Sequence, residues 1–101
     1  MTKKDIANSV YERCNSELNI TKKEIYEIVS EIFRIMEETL RRGEKVQISG
    51  FGTFMVKTRK GKVGRNPRTG EEVPVPDRKV IVFKPSKKLL ELVELKLKKY
   101  N

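Results

Sequence analysis

Histidine is absent from this chain of 101 residues, and Cys14 is its single cysteine. Those two shortages together exclude zinc fingers, Cys–His nucleophilic catalysis and a disulfide framework. Cys14 follows Ile6 and Val10 at helical spacing, so it reads as a small core residue on their face. A lone thiol fits a reducing compartment. No apolar run approaches the length of a membrane span, and the opening Met1-Thr2-Lys3-Lys4-Asp5 lacks the apolar centre of a signal peptide. The expected location is the cytoplasm. Catalytic groups are scarce too. Glu37 and Glu38 are neighbours on a helix and point to different sides, so they form no matched acid–base pair. The expectation is a protein that is not an enzyme and that uses no metal, cofactor or small-molecule substrate.

What the chain has in excess is positive charge, a formal +9 at neutral pH. Residues 1–50 carry nine Lys/Arg and nine Asp/Glu, whereas residues 51–101 carry fourteen against five. A neutral half joined to a strongly basic half reads as a scaffold plus an electrostatic footprint for a polyanion. Nucleic acid is the commonest such partner, and an anionic membrane surface is its main competitor. At this length the chain is expected to form one small domain, 1–101, with a modest core.

Thr2 is placed to cap a first helix, with Asp5 in its first turn. A break is expected from Asn15 to Ile20. Thr21-Lys22-Lys23-Glu24 is a capping box. The helix it opens carries Ile25, Ile28, Val29, Ile32, Met36 and Leu40 at helical spacing and stops at Gly43. Tyr26, Phe33 and Ile35 widen that stripe to about half the circumference, at about 100° per residue. One neighbouring helix would not cover it, so it reads as a subunit interface, with a larger core within the chain as the alternative.

The periodicity then changes. Val46 and Ile48 alternate with Lys45 and Gln47, and Phe54 and Val56 continue the alternation beyond Phe51 and its flanking glycines, Gly50 and Gly52. Between Lys57 and Pro76 the large apolar groups dwindle to Val63, Val73 and Val75. Such a ribbon can hydrogen-bond to itself but has no core beneath it, so it is expected to protrude and to be mobile when free. Pro67 suits the second position of a turn, and Gly70 the left-handed backbone that closes a short hairpin loop. Pro74 and Pro76 deny their strand a further partner. Val80 to Phe83 lead back to the body, and Pro85 and Ser86 open a last helix. Leu89, Leu90, Leu92, Val93 and Leu97 lie largely on one side of it, with Lys96, Lys98 and Lys99 in its final turns. The expected fold is α+β. It has two N-terminal helices (1–43), a three-stranded antiparallel sheet with a long protruding β-ribbon arm (44–85, arm about 57–76), and a C-terminal helix (86–101).

Inside the basic ribbon from Lys57 to Lys79, the run Gly64-Arg65-Asn66-Pro67-Arg68-Thr69-Gly70 sets a proline at the apex between arginines. A rigid apolar wedge flanked by cations suits prying at stacked bases, as minor-groove DNA-bending proteins do. Arg78 and Lys79 end the ribbon. Lys84, Lys87 and Lys88 beside the return strand form a candidate phosphate track, which Lys3 joins from the first helix. The turn at Ser49 and Gly50 offers backbone amides to a phosphate. Glu71 and Glu72 are expected to mark a side of the arm that faces solvent.

With these residues in place, the chain resembles the bacterial histone-like family of HU and integration host factor. Gly50-Phe51-Gly52-Thr53-Phe54 is similar to the family's glycine–phenylalanine turn, and Gly64-Arg65-Asn66-Pro67 with Thr69-Gly70 is similar to its arm tip. The likeness runs from Thr2-Lys3-Lys4-Asp5 to the Phe83-Lys84-Pro85 that precedes the last helix. It implies an intertwined dimer, of identical or merely related subunits, whose helices form the base and whose two arms embrace double-stranded DNA. It implies that Pro67 intercalates, that Arg65, Asn66 and Arg68 surround it in the minor groove, and that Arg59 and Lys62 are cationic arm residues. It further implies DNA bending and compaction in the nucleoid. Two positions depart from the family's pattern. Gly61 stands where other side chains are usual, which implies a looser arm. Lys62 replaces a frequent arginine, keeping the charge and losing the planar fork. The return segment Arg78-Lys79-Val80-Ile81-Val82-Phe83-Lys84-Pro85 resembles integration host factor more than HU.

Two other partners suit a basic chain, an anionic membrane surface and RNA. The last helix is amphipathic and lysine-rich, but Tyr100 is its only interfacial aromatic and its leucines are expected to cover the core. Double-stranded DNA is therefore the expected partner, and no membrane.

Overall fold

The computed structural model describes residues 1–100, without the side chains of residues 15, 16, 18 and 95–100. The expectations for Lys96, Leu97, Lys98, Lys99 and Tyr100 concern side chains outside the described set. Two compact units divide the chain, residues 1–41 and 42–101.

The first unit is a pair of helices, α1 (Lys3–Leu18) and α2 (Lys22–Arg41). Both begin at reciprocal caps. Thr2 donates its amide to the Asp5 carboxylate at 2.8 Å, and Asp5 returns its own amide to Thr2 Oγ1 at 3.1 Å. Thr21 and Glu24 repeat the exchange at 3.2 and 3.1 Å. In each pair the threonine backbone amide, then its hydroxyl, holds the carboxyl below its ordinary range. The first helix outlasts the break expected from Asn15. An interior asparagine costs less than about 0.7 kcal/mol, and α1 ends only where Asn19 turns left-handed at φ 50°. Asparagine tolerates that conformation better than most residues. Gly43 ends the second helix region at φ 81°, as its position suggested.

Ala7, Ile25 and Val29 form the buried centre of this unit, with Ile6, Val10, Tyr11, Ile20 and Phe33 packed against them. The wide apolar stripe of α2 therefore splits into two rows. Ile25, Val29 and Phe33 face α1. Ile28, Ile32 and Ile35 remain 53, 51 and 54% exposed.

The second unit holds five strands and a helix: β1 (Val46–Ile48), β2 (Gly52–Arg59), β3 (Val63–Arg65), β4 (Glu72–Pro74), β5 (Arg78–Pro85) and α3 (Lys87–Tyr100). The main sheet is antiparallel, in the order β1-β2-β5, and β3 with β4 makes a separate two-stranded ribbon. β2 and β5 pair from Gly52 opposite Pro85 to Arg59 opposite Arg78. Beyond a short gap the ribbon resumes with Val63 opposite Pro74 and ends with Arg65 opposite Glu72. The register is the same on both sides of that gap, so neither strand gains a residue. These elements are the α+β arrangement expected, including the ribbon that lengthens the middle hairpin.

The ring of Phe83 lies between Phe54 and Phe51, with centroids 4.6 and 5.5 Å away. It also roofs Gly52, where a β-carbon would fall 2.6 Å from two of its ring carbons, so the position takes only glycine. At the start of α3, Ser86 Oγ accepts the Leu89 amide at 3.0 Å, and the Ser86 amide ties back to Phe51 O at 2.9 Å. Leu90, Leu92 and Val93 are all more than half exposed. Leu89 is partly buried, so among the described side chains of this helix the expectation of leucines covering the core is met at Leu89 and not at Leu90 or Leu92. Among the described residues, no helix is long and apolar enough to cross a membrane.

Candidate nucleic-acid interface

The tip of the ribbon is built around Asn66. Its amide donates to Glu71 O at 2.9 Å, and its carbonyl accepts from Gly70 at 2.8 Å. Its side-chain Oδ1 accepts the Arg68 amide at 2.9 Å, an Asx turn that fixes the loop without help from a core. Gly70 closes the loop at φ 73°, and Thr69 Oγ1 accepts the Glu71 amide at 3.3 Å. Pro67 is thereby held at the exposed apex between Arg65 and Arg68, which are exposed as well. Asn66 is partly buried and serves the turn with three of its polar atoms.

Further along the ribbon, Arg59 stands directly opposite Arg78. Like charges facing each other across a ladder repel, and a polyanion between them would relieve that repulsion. Arg59, Lys60, Lys62 and Arg78 line an open cleft of about 630 Å³ at the base of the ribbon. Lys60 was not singled out from the sequence, although it lies in the same basic run between Arg59 and Lys62. Lys79 is not part of that face. It pairs with Thr58 one step along, and successive strand residues point to opposite sides of a sheet.

Glu72 corrects one expectation. It stands opposite Arg65, and cross-strand partners share a face of the ribbon. Glu72 therefore lies on the side of Arg65, and the two adjacent glutamates do not define a separate solvent side.

A second cluster gathers where the β1–β2 turn meets the start of α3. Ser49, Gly50, Lys84, Ser86 and Lys87 line an open cleft of about 410 Å³ there. The turn is closed by the Phe51 amide on Ile48 O at 3.0 Å, with Gly50 at φ 74°. A β-carbon on Gly50 would stand 3.6 Å from Lys88 Cδ, so that lysine stem passes beside the turn. The positive end of the α3 dipole points into the same place. Lys3 belongs to the other unit, where its ammonium lies 5.6 Å from the Tyr26 ring centroid.

Residues 1–94 match the family described as "Bacterial DNA-binding protein". A curated relative, the integration host factor subunit alpha of Anaeromyxobacter sp. (strain Fw109-5), is 50% identical over 95 residues, covering 94% of this chain and 92% of its own length. Among solved structures, an Anabaena HU–DNA cocrystal structure superposes with a TM-score of 0.73 at 31% identity, over 92% of this chain and 97% of that one. HU from Thermotoga maritima gives 0.60 at 31% identity, over 92 and 98%.

Proposed function

The chain belongs to the family of bacterial DNA-binding proteins, and from that premise we propose that it is an architectural protein that bends and compacts double-stranded DNA. It works as a dimer, with an identical or a related subunit, in the cytoplasm on the nucleoid. The ribbon enters the minor groove, and Pro67 wedges between base steps while Arg65, Asn66 and Arg68 line the groove around it. Arg59, Lys62 and Arg78 neutralise phosphates along the ribbon, with Lys79 on its other face. Lys84, Lys87 and the Ser49–Gly50 turn hold the duplex where it leaves the groove, and Lys3 adds a contact from the helical unit. The observation that carries this reading is the tip itself: a proline held exposed by an Asn66-centred hydrogen-bond knot, on a ribbon rich in cations and poor in core. Support for the dimer comes from the apolar rows left exposed on α2 and α3.

Unstacking a base step costs a few kcal/mol, which wrapping more duplex onto cationic flanks offsets. Pro67→Ala removes the wedge and no charge. It is expected to bind straight duplex nearly as well as the parent and to bend it much less in an energy-transfer assay. It should also lose any preference for nicked or kinked duplex. Equal bending by parent and variant would make the apex an ordinary turn. RNA is tested in the same series as a single-stranded competitor, and anionic vesicles by flotation.

A further inference from the structure

Between the two ladders, residues 60–62 stand opposite 75–77 in unbroken register, yet regular strand pairing lapses there. One side-chain bond and one backbone bond hold this joint. The Gly61 amide donates to Asp77 Oδ1 at 2.7 Å, and the Val75 amide donates to Lys62 O at 3.1 Å. Pro76, with no amide hydrogen, cannot donate to a ladder. The Val75 carbonyl sits so close that a β-carbon on Gly61 would lie 1.5 Å from its oxygen. Gly61 is therefore required by a close crossing of the two strands.

Asp77 is the only acidic residue between Glu72 and Glu91. It does not itself line the cleft, but both its chain neighbours, Pro76 and Arg78, and its partner Gly61 do, beside Arg59, Lys60 and Lys62. A carboxylate at that place weakens attraction for a polyanion, which a role in holding the ribbon would offset. We propose that Asp77 and Gly61 form a latch across the base of the ribbon that fixes its set against the main sheet. They are positioning residues, which aim Pro67 without touching DNA. The consequence for bending rests on the wedge reading above, whereas the latch itself is a property of the free protein.

Three variants separate the latch from the charge. Asp77→Asn and Asp77→Ala remove the same charge, but only asparagine keeps a side-chain oxygen for the Gly61 amide. Gly61→Ala keeps the charge and sets a methyl group against Val75 O. In the free protein, hydrogen exchange at the Gly61 amide should be slow in the parent and in Asp77→Asn, and about tenfold faster or more in Asp77→Ala. On a fluorescent duplex, the parent and Asp77→Asn should give one narrow distribution of bends. Asp77→Ala and Gly61→Ala should give a broader one with a smaller mean. The salt dependence of binding should change equally in the two Asp77 variants. If Asp77→Asn and Asp77→Ala agree in exchange and in bending, the latch is overturned and Asp77 acts through charge alone. If the parent itself does not bend DNA, the wedge reading fails separately, and the exchange experiment alone decides the latch. An unprotected Gly61 amide in the parent overturns it.

Discussion

The outer row of α2 and the ribbon β3–β4 are alike in one respect, since both lie exposed in the single chain, and opposite in every other. The row is three isoleucines on a rigid helix in a half of the chain whose charges cancel. The ribbon is a pair of three-residue strands, with Arg65 on one, Glu72 on the other and further cations in the segments that flank them, fixed by turn hydrogen bonds and glycine geometry. Exposure alone does not name a partner, but the chemistry exposed does. Water excludes the isoleucines, so they call for another protein surface. Water solvates the arginines well, so they gain from a partner only if it brings dense negative charge.

The sharpest break of that contrast is Ile32→Asp. If the row faced water in the working protein, the change would alter stability by no more than about 0.5 kcal/mol. If a second subunit covers it, the unpaired buried charge is very costly. The expected outcome is loss of the dimer in sedimentation and loss of cooperative melting. A folded variant that sediments like the parent would place the row in solvent.

The ribbon side of the contrast is read through salt. For about six to ten neutralised phosphates, duplex affinity should fall roughly a thousand-fold or more between 50 and 200 mM salt. A log–log slope shallower than about −3 would remove phosphate contact as the main source of affinity. Arg65→Ala should weaken binding to all duplexes and flatten the slope by about one, while leaving sedimentation unchanged. A sedimentation change in that variant would blur the division between the two regions.

The smallest expected effect lies at the helix caps. Thr21→Ala removes the hydroxyl that receives the Glu24 amide and should cost about 1 kcal/mol, seen as a lower melting temperature with DNA affinity intact. The Thr21 amide and, after it, the Thr21 hydroxyl at 2.9 Å hold the Glu24 carboxyl below its ordinary range, and the variant loses only the hydroxyl's share. A depressed folded-state pKa stabilises above the unfolded value and ceases to do so as pH falls through the folded one. The deficit of Thr21→Ala should therefore shrink in acid, below the ordinary glutamate range, and be full at neutral pH. A deficit constant across that range would assign the effect to the bond the hydroxyl accepts from the Glu24 amide, and none of it to the bond the hydroxyl donates to the carboxylate.

Both caps were legible in the sequence because each couples residues three apart, within one helical turn. The main strands were legible for a similar reason, since alternation at Val46 to Ile48 and Phe54 to Val56 needs no distant partner. The basic tip with its proline apex could also be read directly. The split of the α2 stripe could not. Ile25 and Ile32 are the same residue type on overlapping arcs, and only the placement of α1 makes one inner and the other outer. The face shared by Arg65 and Glu72 depends on register, which no local pattern near the glutamates encodes. The Gly61–Asp77 bond spans sixteen residues and joins two positions that carry no periodic signal. Gly61 by itself suggested looseness, and nothing local announces the bond its amide makes to Asp77.

The unbroken register across the unpaired joint has a practical meaning for anyone who would resize this protein. Lengthening one side of the hairpin by a single residue would turn every side chain beyond it to the other face. Adding two residues to each side keeps every face. At roughly 3.4 Å per residue, that change carries the apex outward by about 7 Å, close to the height of two stacked base pairs at about 3.4 Å each. The hairpin can thus be graduated like a ruler, in marks commensurate with the object it would measure.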